Sequence, residues 1–160
     1  MVVTERLRYH ARIMPARLTS ALTRVKPSAL ATRALFERLA GGPLPSWERL
    51  EAEIVVQRIE AGGTVFTQDA EHPFAYVVRS GLLKNVYFSE DGEDWIKSFC
   101  EEGQFFGSIA ALEPRGRTSF AAMAVEASEV ERLPYMTLEK LAETNVAWAN
   151  VLRKALLIFG

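Results

Sequence analysis

The residues best suited to chemistry lie between Glu102 and Glu126, in the stretch EGQFFGSIAALEPRGRTSFAAMAVE. Gly103 and Gly107 bracket an aromatic pair, a short apolar run follows Ser108, and a polar turn then leads into β-prone small residues. A strand, a glycine turn, one or two helical turns and a second strand would leave unpaired helix N–H groups facing outward. Such N–H groups and the helix macrodipole together favour anions. The stretch therefore predicts a recess that binds an anion.

The elements that must hold this recess are predicted to be β-strands. Between Glu53 and Leu133, runs of β-branched and aromatic residues are separated by Gly, Asp and Ser at short, even spacing. This spacing favours an antiparallel double sheet or jelly roll. The sequence Glu90-Asp91-Gly92 predicts a hairpin turn, because glycine supplies the positive φ that such a turn needs.

Helices are predicted on both sides of the strands. A helical pattern runs from Ser28 to Leu50, with Phe36 and Trp47 as packing residues and Ser46 as the cap of its second segment. After the strands, a short helix is predicted over residues 136–143. Asn145 then caps a last helix, whose apolar stripe consists of Trp148, Leu152, Ala155 and Phe159.

Four segments together resemble the cyclic-nucleotide-binding domains, and most of all the sensor domains of the Crp/Fnr family of bacterial regulators. They are the turn at residues 62–68, the strand ending at residues 76–81, the acidic hairpin at 89–92 and the run FCEEGQFFG at 99–107. The resemblance covers roughly residues 34–159, and the stretch from Glu102 corresponds to the family's phosphate-binding cassette.

The resemblance implies a mainly β fold with flanking helices, a double-stranded β-helix (jelly roll) followed by a C-terminal dimerisation helix. It divides the chain into a basic arm (1–28), a β-barrel domain (29–144) and the final helix (145–160). In the family that helix is the dimer seam, so the stripe of Trp148, Leu152, Ala155 and Phe159 is predicted to pack against a second copy. The alternative is that the helix folds back on the barrel.

The cassette departs from the pattern of cAMP-binding members. They carry an acid for the ribose directly after the second glycine, and here Ser108 occupies that position. They also carry an Arg-Ser/Thr pair for the phosphate. One register reads Arg117-Thr118 as that pair, and the other puts Thr118 at the arginine position, where it could not form the bidentate contact. The predicted ligand-binding residues are Phe106, Gly107, Ser108, Ile109, Arg117, Thr118 and Ser119, with Leu83 and Phe99 as walls.

The function predicted from this resemblance is a small-molecule-sensing effector domain with a degenerate cassette, signalling through its dimer helix. The ligand would be a cyclic nucleotide or another small anion. Two alternatives stay open: a ligand-free protein-interaction module, whose pocket Phe120 and Met123 would fill, and a stand-alone cyclic-nucleotide-binding protein. We expect no enzymatic activity, because Thr118 and Ser119 have no identifiable base partner. The helix-turn-helix with which the family binds DNA has no counterpart in the sequence.

Composition and charge limit the remaining possibilities. The 160 residues are 49% hydrophobic, enough for one sizeable core, and no apolar run reaches bilayer length. Cys100 is the only cysteine, so a buried thiol and a cytoplasmic location are expected. His10 and His72 lie in different predicted elements, and no metal or haem site is expected from them.

The first 38 residues carry eight Lys/Arg against two acids, a net charge of +6, although the whole chain is at −1. Within them Leu7, Ala11, Met14, Leu18, Leu22 and Val25 recur at helical spacing, with Pro15 as an interruption. Three uses of this arm compete: a targeting segment, a contact with nucleic acid or an anionic membrane surface, and packing of its apolar stripe on the domain or on a second subunit.

Overall fold

A computed structural model describes residues 20–23 and 30–159 of the chain. The strands of this part are β1 (Ser20–Thr23), β2 (Val55–Ile59), β3 (Thr64–Phe66), β4 (Phe74–Ser80), β5 (Leu82–Phe88), β6 (Asp94–Glu101), β7 (Phe105–Phe106), β8 (Ala121–Ala124) and β9 (Ser128–Pro134). Its α-helices are α1 (Ala31–Ala40), α2 (Trp47–Glu51), α3 (Tyr135–Thr144) and α4 (Val146–Phe159), and a single 3-10 turn spans Ile109–Leu112.

The strands form two antiparallel sheets, with the orders β1-β2-β9-β4-β7 and β3-β8-β5-β6. The prediction of a mainly β fold with flanking helices and a final helix is confirmed. The hairpin predicted at Glu90-Asp91-Gly92 joins β5 to β6, where Gly92 has a φ of 88° and its N–H donates to the Ser89 carbonyl.

Strands β4 and β9 bury side chains on both faces of the first sheet. A hydrophobic cluster therefore lies on each side of this sheet and holds the layers together. One cluster lies between the sheets and includes Tyr76, Val78 and Phe106. The other lies between the first sheet and the helices and includes Phe36 and Trp47. The predicted packing roles of Phe36 and Trp47 are therefore confirmed, since both side chains are buried.

The final helix is fixed to its own domain. Its N-terminus is capped as predicted, since the Asn145 Oδ1 accepts a hydrogen bond from the Ala147 N–H at 2.8 Å. Trp148 stacks on Trp47 with ring centroids 6.0 Å apart, and its Nε1 donates to the Pro45 carbonyl at 2.6 Å. Trp148 and Ala155 are buried in the helix-side cluster.

This burial corrects one premise of the dimer prediction. We expected the whole apolar stripe to need cover from a second subunit, but α1 and α2 lie within reach and cover Trp148 and Ala155 inside one chain. Leu152 packs on the edge of the same cluster. The side chain of Phe159 lies outside the described residues. A dimer role for the helix as a whole stays a prediction.

Part of the N-terminal arm is a strand and not the predicted helix. Leu22 was expected in an amphipathic helix, but Ser20–Thr23 pairs with β2 as an edge strand, where the ladder hydrogen bonds replace helical ones. The remaining arm residues of that prediction, and the start at Ser28, lie outside the described residues. Ser46 does precede α2, but it has a φ of 57° and its side chain makes no capping bond.

The N-terminus of α1 is capped from a distant strand. The Glu131 carboxylate of β9 is fully buried and accepts hydrogen bonds from the N–H groups of Ala31 at 2.8 Å and Thr32 at 2.7 Å, and from the Thr32 hydroxyl at 2.6 Å. Arg79 of β4 completes the arrangement, with its Nη1 2.7 Å from the carboxylate. A buried carboxylate at a helix N-terminus satisfies otherwise unpaired donors and complements the macrodipole.

We predict that Glu131→Ala lowers the free energy of unfolding by about 3 kcal/mol or more, because two helix N–H groups and the Arg79 guanidinium lose their buried acceptor. Urea unfolding measures the change. Glu129→Ala is the matched control: Glu129 is on the same strand and 3.6 Å from the same arginine, but its side chain is 41% exposed. It should cost less than about 1 kcal/mol, and equal losses for the two variants would contradict the role given to Glu131.

Candidate functional site

The predicted cassette begins where β7 pairs with β4. Phe106 lies opposite Tyr76, and both side chains are fully buried. Gly107 then runs against β4, where an added Cβ would lie 3.4 Å from the Ala75 Cα and the Phe74 carbonyl oxygen. An added Cβ would thus be in van der Waals contact with β4, so the chain at Gly107 runs close along the sheet and the following turn starts next to the barrel.

Ser108 and Ser119 meet at the base of the cassette. The Ser108 side chain is buried, and its Oγ accepts a hydrogen bond from the Ser119 N–H at 3.0 Å and lies 3.4 Å from the Ser119 Oγ. This contact closes the loop over eleven residues of sequence. The serine at the position of the family's acid thus forms an internal hydrogen bond.

The helical part of the cassette is a single turn, the shorter of the two predicted lengths. Residues Ile109–Leu112 form one 3-10 turn, with the Ala111 N–H donating to the Ser108 carbonyl at 3.0 Å. Ile109 is 49% exposed. So few aligned peptide units produce only a small part of a helix macrodipole, and the expected attraction for an anion is correspondingly reduced.

Thr118 connects the cassette to the β3–β4 turn. Its hydroxyl donates to the Thr67 carbonyl at 2.6 Å and accepts from the Ala70 N–H at 3.0 Å. Its backbone exchanges two more hydrogen bonds with Asp69 and Ala70. Thr118 is buried, so its predicted role in contacting a ligand would require breaking these bonds.

The Arg117 guanidinium is paired within the chain. Its Nε donates to the Asp69 carboxylate at 2.8 Å and its Nη2 donates to the Asp69 carbonyl at 2.5 Å. Both side chains are more than half exposed, so the pair is worth less than about 1 kcal/mol. The pair nevertheless directs the one arginine of the predicted site toward the β3–β4 turn rather than toward Ser108.

Aromatic side chains fill the barrel interior beside the cassette. Phe106 stacks on Tyr76 with centroids 5.1 Å apart, and Phe120 lies 5.7 Å from Phe66 and 6.1 Å from Tyr87. Phe120 is buried. These contacts occupy the space between the sheets next to the Ser108–Ser119 contact.

Leu83 and Phe99 were predicted to line the pocket, and Phe120 and Met123 to fill it. The four side chains do not all face the space between the sheets. Leu83 is in the inter-sheet cluster, whereas Phe99, opposite Lys84, is 53% exposed. Alternate residues of a strand face opposite sides, so the prediction of Phe99 as a pocket wall is wrong. Phe120 belongs to the inter-sheet cluster, but Met123 does not, because its neighbours Ala122 and Ala124 face inward in its place.

Two polar residues, one in the interior and one at the surface, were missed in the sequence. Asn85 is 4% exposed; its Nδ2 donates to the Ser98 Oγ at 3.0 Å and approaches the Cys100 Sγ at 3.5 Å. Leu83, Asn85 and Tyr87 are alternate residues of β5. The two-residue repeat of a strand could therefore have indicated that Asn85 faces inward with the other two. Asp69 carried no such signal, since its contact with Arg117 spans 48 residues.

Burial sets the protonation of the titratable groups at this end of the barrel. Burial, and then the positive charge of Arg132, lowers the pKa of His72 to about 4. The His72 Nε2 lies 2.5 Å from the Tyr76 hydroxyl, whose pKa burial raises. Both groups are therefore uncharged at neutral pH, and a hydrogen bond joins the tyrosine hydroxyl to the imidazole. Burial also raises the pKa of Cys100 to about 11, as befits the buried thiol that was predicted.

Metal binding finds no support in the part of the chain that the structure describes, which holds no group of three or more His, Cys, Asp or Glu placed to share an ion. Within the same residues, no helix combines the length and the hydropathy required to cross a bilayer.

The fold and the cassette identify the class of protein. The sequence pattern of the cyclic nucleotide-binding domain matches residues 56–145, which is more than half of the chain. The chain therefore belongs to the cyclic nucleotide-binding domain family.

The relatives are regulators of the Crp/Fnr type. The fumarate and nitrate reduction regulatory protein of Escherichia coli is 33% identical over 84 residues, which cover 52% of this chain and 33% of that protein. The chain thus spans well under two thirds of the curated relatives that it matches.

Two solved structures share the fold. The sensor domain of the transcriptional regulator DNR from Pseudomonas aeruginosa is 19% identical, with a TM-score of 0.69 over 82% of this chain and 89% of that chain. A cyclic nucleotide-binding domain from Methylobacillus flagellatus is 11% identical, with a TM-score of 0.69 over 88% of this chain and 80% of that chain.

We predict that His72 makes the protein less stable as the pH falls from 7 to 5. The pKa of His72 is about 4 in the folded state against 6.5 for a free histidine, so the unfolded state takes up the proton first and the free energy of unfolding falls with pH. Partial exposure limits the loss to about 1–2 kcal/mol.

The measurement is a series of urea unfolding curves for the wild type and His72→Gln, in which glutamine keeps a hydrogen-bonding group near Tyr76. The variant should show a flatter dependence on pH over this range, whatever its absolute stability. Parallel curves for the two proteins would show that His72 titrates normally in the folded state.

Proposed function

We propose that this chain is the small-molecule-sensing effector domain of a Crp/Fnr-type transcriptional regulator. On this proposal its phosphate-binding cassette has degenerated with respect to cyclic nucleotides, and it signals through its final helix. The observation that carries the proposal is the pairing of Arg117 with Asp69, which supplies an internal anion in place of a phosphate.

The other cassette contacts support the same conclusion. A cyclic nucleotide needs an acceptor for its ribose hydroxyl and space for its base. At the position of the acid, the Ser108 Oγ accepts a hydrogen bond from the Ser119 N–H, and Phe120 takes up space beside it. A ligand of this site would have to be smaller than a nucleotide, or would have to displace Phe120.

A second candidate function is a ligand-free interaction module. The packed aromatic interior favours it, because a barrel filled by Phe66, Phe106 and Phe120 is stable without any ligand. The stand-alone cyclic-nucleotide-binding protein is the third reading, and the intact order of glycine turn, 3-10 turn and Arg117-Thr118 favours it.

The remaining parts of the proposal follow from the regulatory role. DNA recognition in such a regulator would depend on a segment other than the described sensor fold, and a regulator of transcription works in the cytoplasm. A catalytic role has no chemical basis at Ser108 and Ser119, because neither side chain contacts a histidine or carboxylate among the described residues.

Signal output is proposed to occur at the solvent-facing side of α4. On this helix Val146 is 75% exposed and Leu157 is 72% exposed, and Leu156 is only partly buried. Residues 146, 153 and 157 follow one another at seven- and four-residue steps, so they lie on one exposed face of the helix, as the residues of a coiled-coil seam do. A ligand that favours one arrangement of the cassette would shift α4 and hence the dimer.

We predict that the wild type does not bind cAMP or cGMP with micromolar affinity, and that Asp69→Asn strengthens any binding because it removes the negative charge that pairs with the Arg117 guanidinium. Isothermal titration calorimetry measures both. A gain of up to about fivefold is expected, since an exposed pair is worth less than about 1 kcal/mol. Glu71→Gln, which removes an exposed acid two residues away, is the matched control.

Micromolar binding by the wild type that Arg117→Ala abolishes would contradict the degenerate cassette and favour the stand-alone nucleotide-binding protein. Thermal melting against a panel of small anions separates the other two readings. A specific rise in melting temperature supports a sensor, whereas a melting temperature unchanged across the panel supports the ligand-free module.

We predict that the protein is a dimer and that Leu157→Glu raises its dissociation constant at least about tenfold, because the substitution places a carboxylate where an apolar side chain would be buried between the two copies. Analytical ultracentrifugation measures the change. Val125→Glu places the same charge on another exposed apolar position, 43% exposed, and should leave the dimer intact. A wild type that stays monomeric at high concentration, or equal effects of the two variants, would rule out this seam.

A further inference from the structure

A cavity of about 460 Å³ lies on the outside of the cassette, away from the Ser108–Ser119 contact. One wall is the 3-10 turn with the loop that follows it, another is the His72-Pro73 segment, and the third is the first turns of α3. Its volume is within the range of small-molecule sites. None of the predicted ligand-binding residues lines it, so the cavity is a site separate from that of the cassette.

The cavity has an apolar lining. Ala111 is buried and Leu112 is half-buried at the 3-10 turn, while Pro73 lines the opposite side and Met136 is 62% exposed on α3. Tyr135 adds an aromatic ring. These groups suit a compact apolar body, because burying it there removes hydrocarbon surface from water on both partners.

The charges of the cavity are mostly negative. Glu71, Glu113 and Glu139 line it together with one cation, Arg115, which gives a net formal charge of −2. The N-terminus of α3 opposes this charge with about half an elementary charge, and its first N–H is already bonded to the Pro73 carbonyl. The acids therefore determine the sign of the field.

The pKa of Tyr135 is consistent with a negative electrostatic field in the cavity. Its pKa is raised by burial first, and then by the negative charges of Glu139 and Glu113. Two carboxylates from different elements, one on the cassette loop and one on α3, thus act on the same hydroxyl.

The cassette wall of the cavity is fixed by the backbone. The Gly116 N–H donates to the Glu113 carbonyl at 2.8 Å, and Arg115 has a φ of 58°. An added Cβ on Gly116 would lie 1.9 Å from the Ala110 carbonyl oxygen, so only glycine permits this close turn. The turn therefore fixes the backbone position of Glu113 at the edge of the cavity.

We propose that this cavity is a binding site for a small organic cation, an ammonium group on a compact apolar or aromatic body. The ammonium group would lie between Glu113 and Glu139 and against the Tyr135 ring, which adds a cation–π attraction. The body would pack on Leu112 and Met136. Because the occupant touches both the cassette and α3, which packs on α4, its binding would favour one spacing of these elements.

The test uses phenethylammonium as the probe and 3-phenylpropionate, an anion of similar shape, as its matched control. NMR titration at low ionic strength follows the backbone amides. We expect a dissociation constant of about 1 mM for the cation, the affinity usual for nine or ten non-hydrogen atoms, and binding at least about tenfold weaker for the anion. The shifted amides should be those of Leu112 and the start of α3.

The double variant Glu113→Gln/Glu139→Gln should weaken cation binding about fivefold or more. Both residues are exposed, so an unchanged melting temperature would show that the fold persists. Glu90→Gln, in the distant hairpin, should have no effect. The proposal is overturned if neither probe shifts these amides at about 10 mM, if both bind equally, or if the double variant binds as the wild type does. None of these outcomes bears on the cassette ligand, which calorimetry with cyclic nucleotides tests separately.

Discussion

The buried carboxylate of Glu131 is the interaction on which the arrangement of layers depends. It lies on the central part of the first sheet, accepts hydrogen bonds from the N-terminal N–H groups of α1 and forms an ion pair with Arg79. An unpaired charge at this depth would be strongly destabilising, so strand β9, strand β4 and helix α1 must keep their relative positions. That constraint places Phe36 over Phe105, with centroids 6.2 Å apart, and leaves room for Trp148 beside them.

In the cassette, too, polar side chains form hydrogen bonds within the chain. Three cassette side chains that could contact a phosphate have partners within the chain: Ser108 with Ser119, Thr118 with the β3–β4 turn, and Arg117 with Asp69. These bonds differ in strength, because Thr118 is buried whereas the Arg117–Asp69 pair is open to solvent. A ligand could therefore displace Asp69 at small cost, but it could recruit Thr118 only by reorganising the turn.

The final helix combines two roles on different faces. Trp148, Val151 and Ala155 anchor it to the domain, while the apolar residues on its other side are exposed. A helix anchored along one face moves with the elements beneath it, so a change at α3 would be transmitted to the exposed face. The outer cavity touches both the cassette and α3, which is the junction where such a change would start.

The sequence alone determined the strand region between residues 53 and 133, the Gly92 hairpin, the Asn145 cap and the order of the cassette, because periodicity, turn glycines and capping residues act over a few neighbours. It also placed Ser108, Thr118 and Ser119 in one loop. Only the tertiary structure decided that Glu131 caps α1 across 99 residues, that Asp69 holds Arg117, and that α1 and α2 cover Trp148. These contacts join residues far apart in the chain, and their partners follow from how the layers pack rather than from any local pattern.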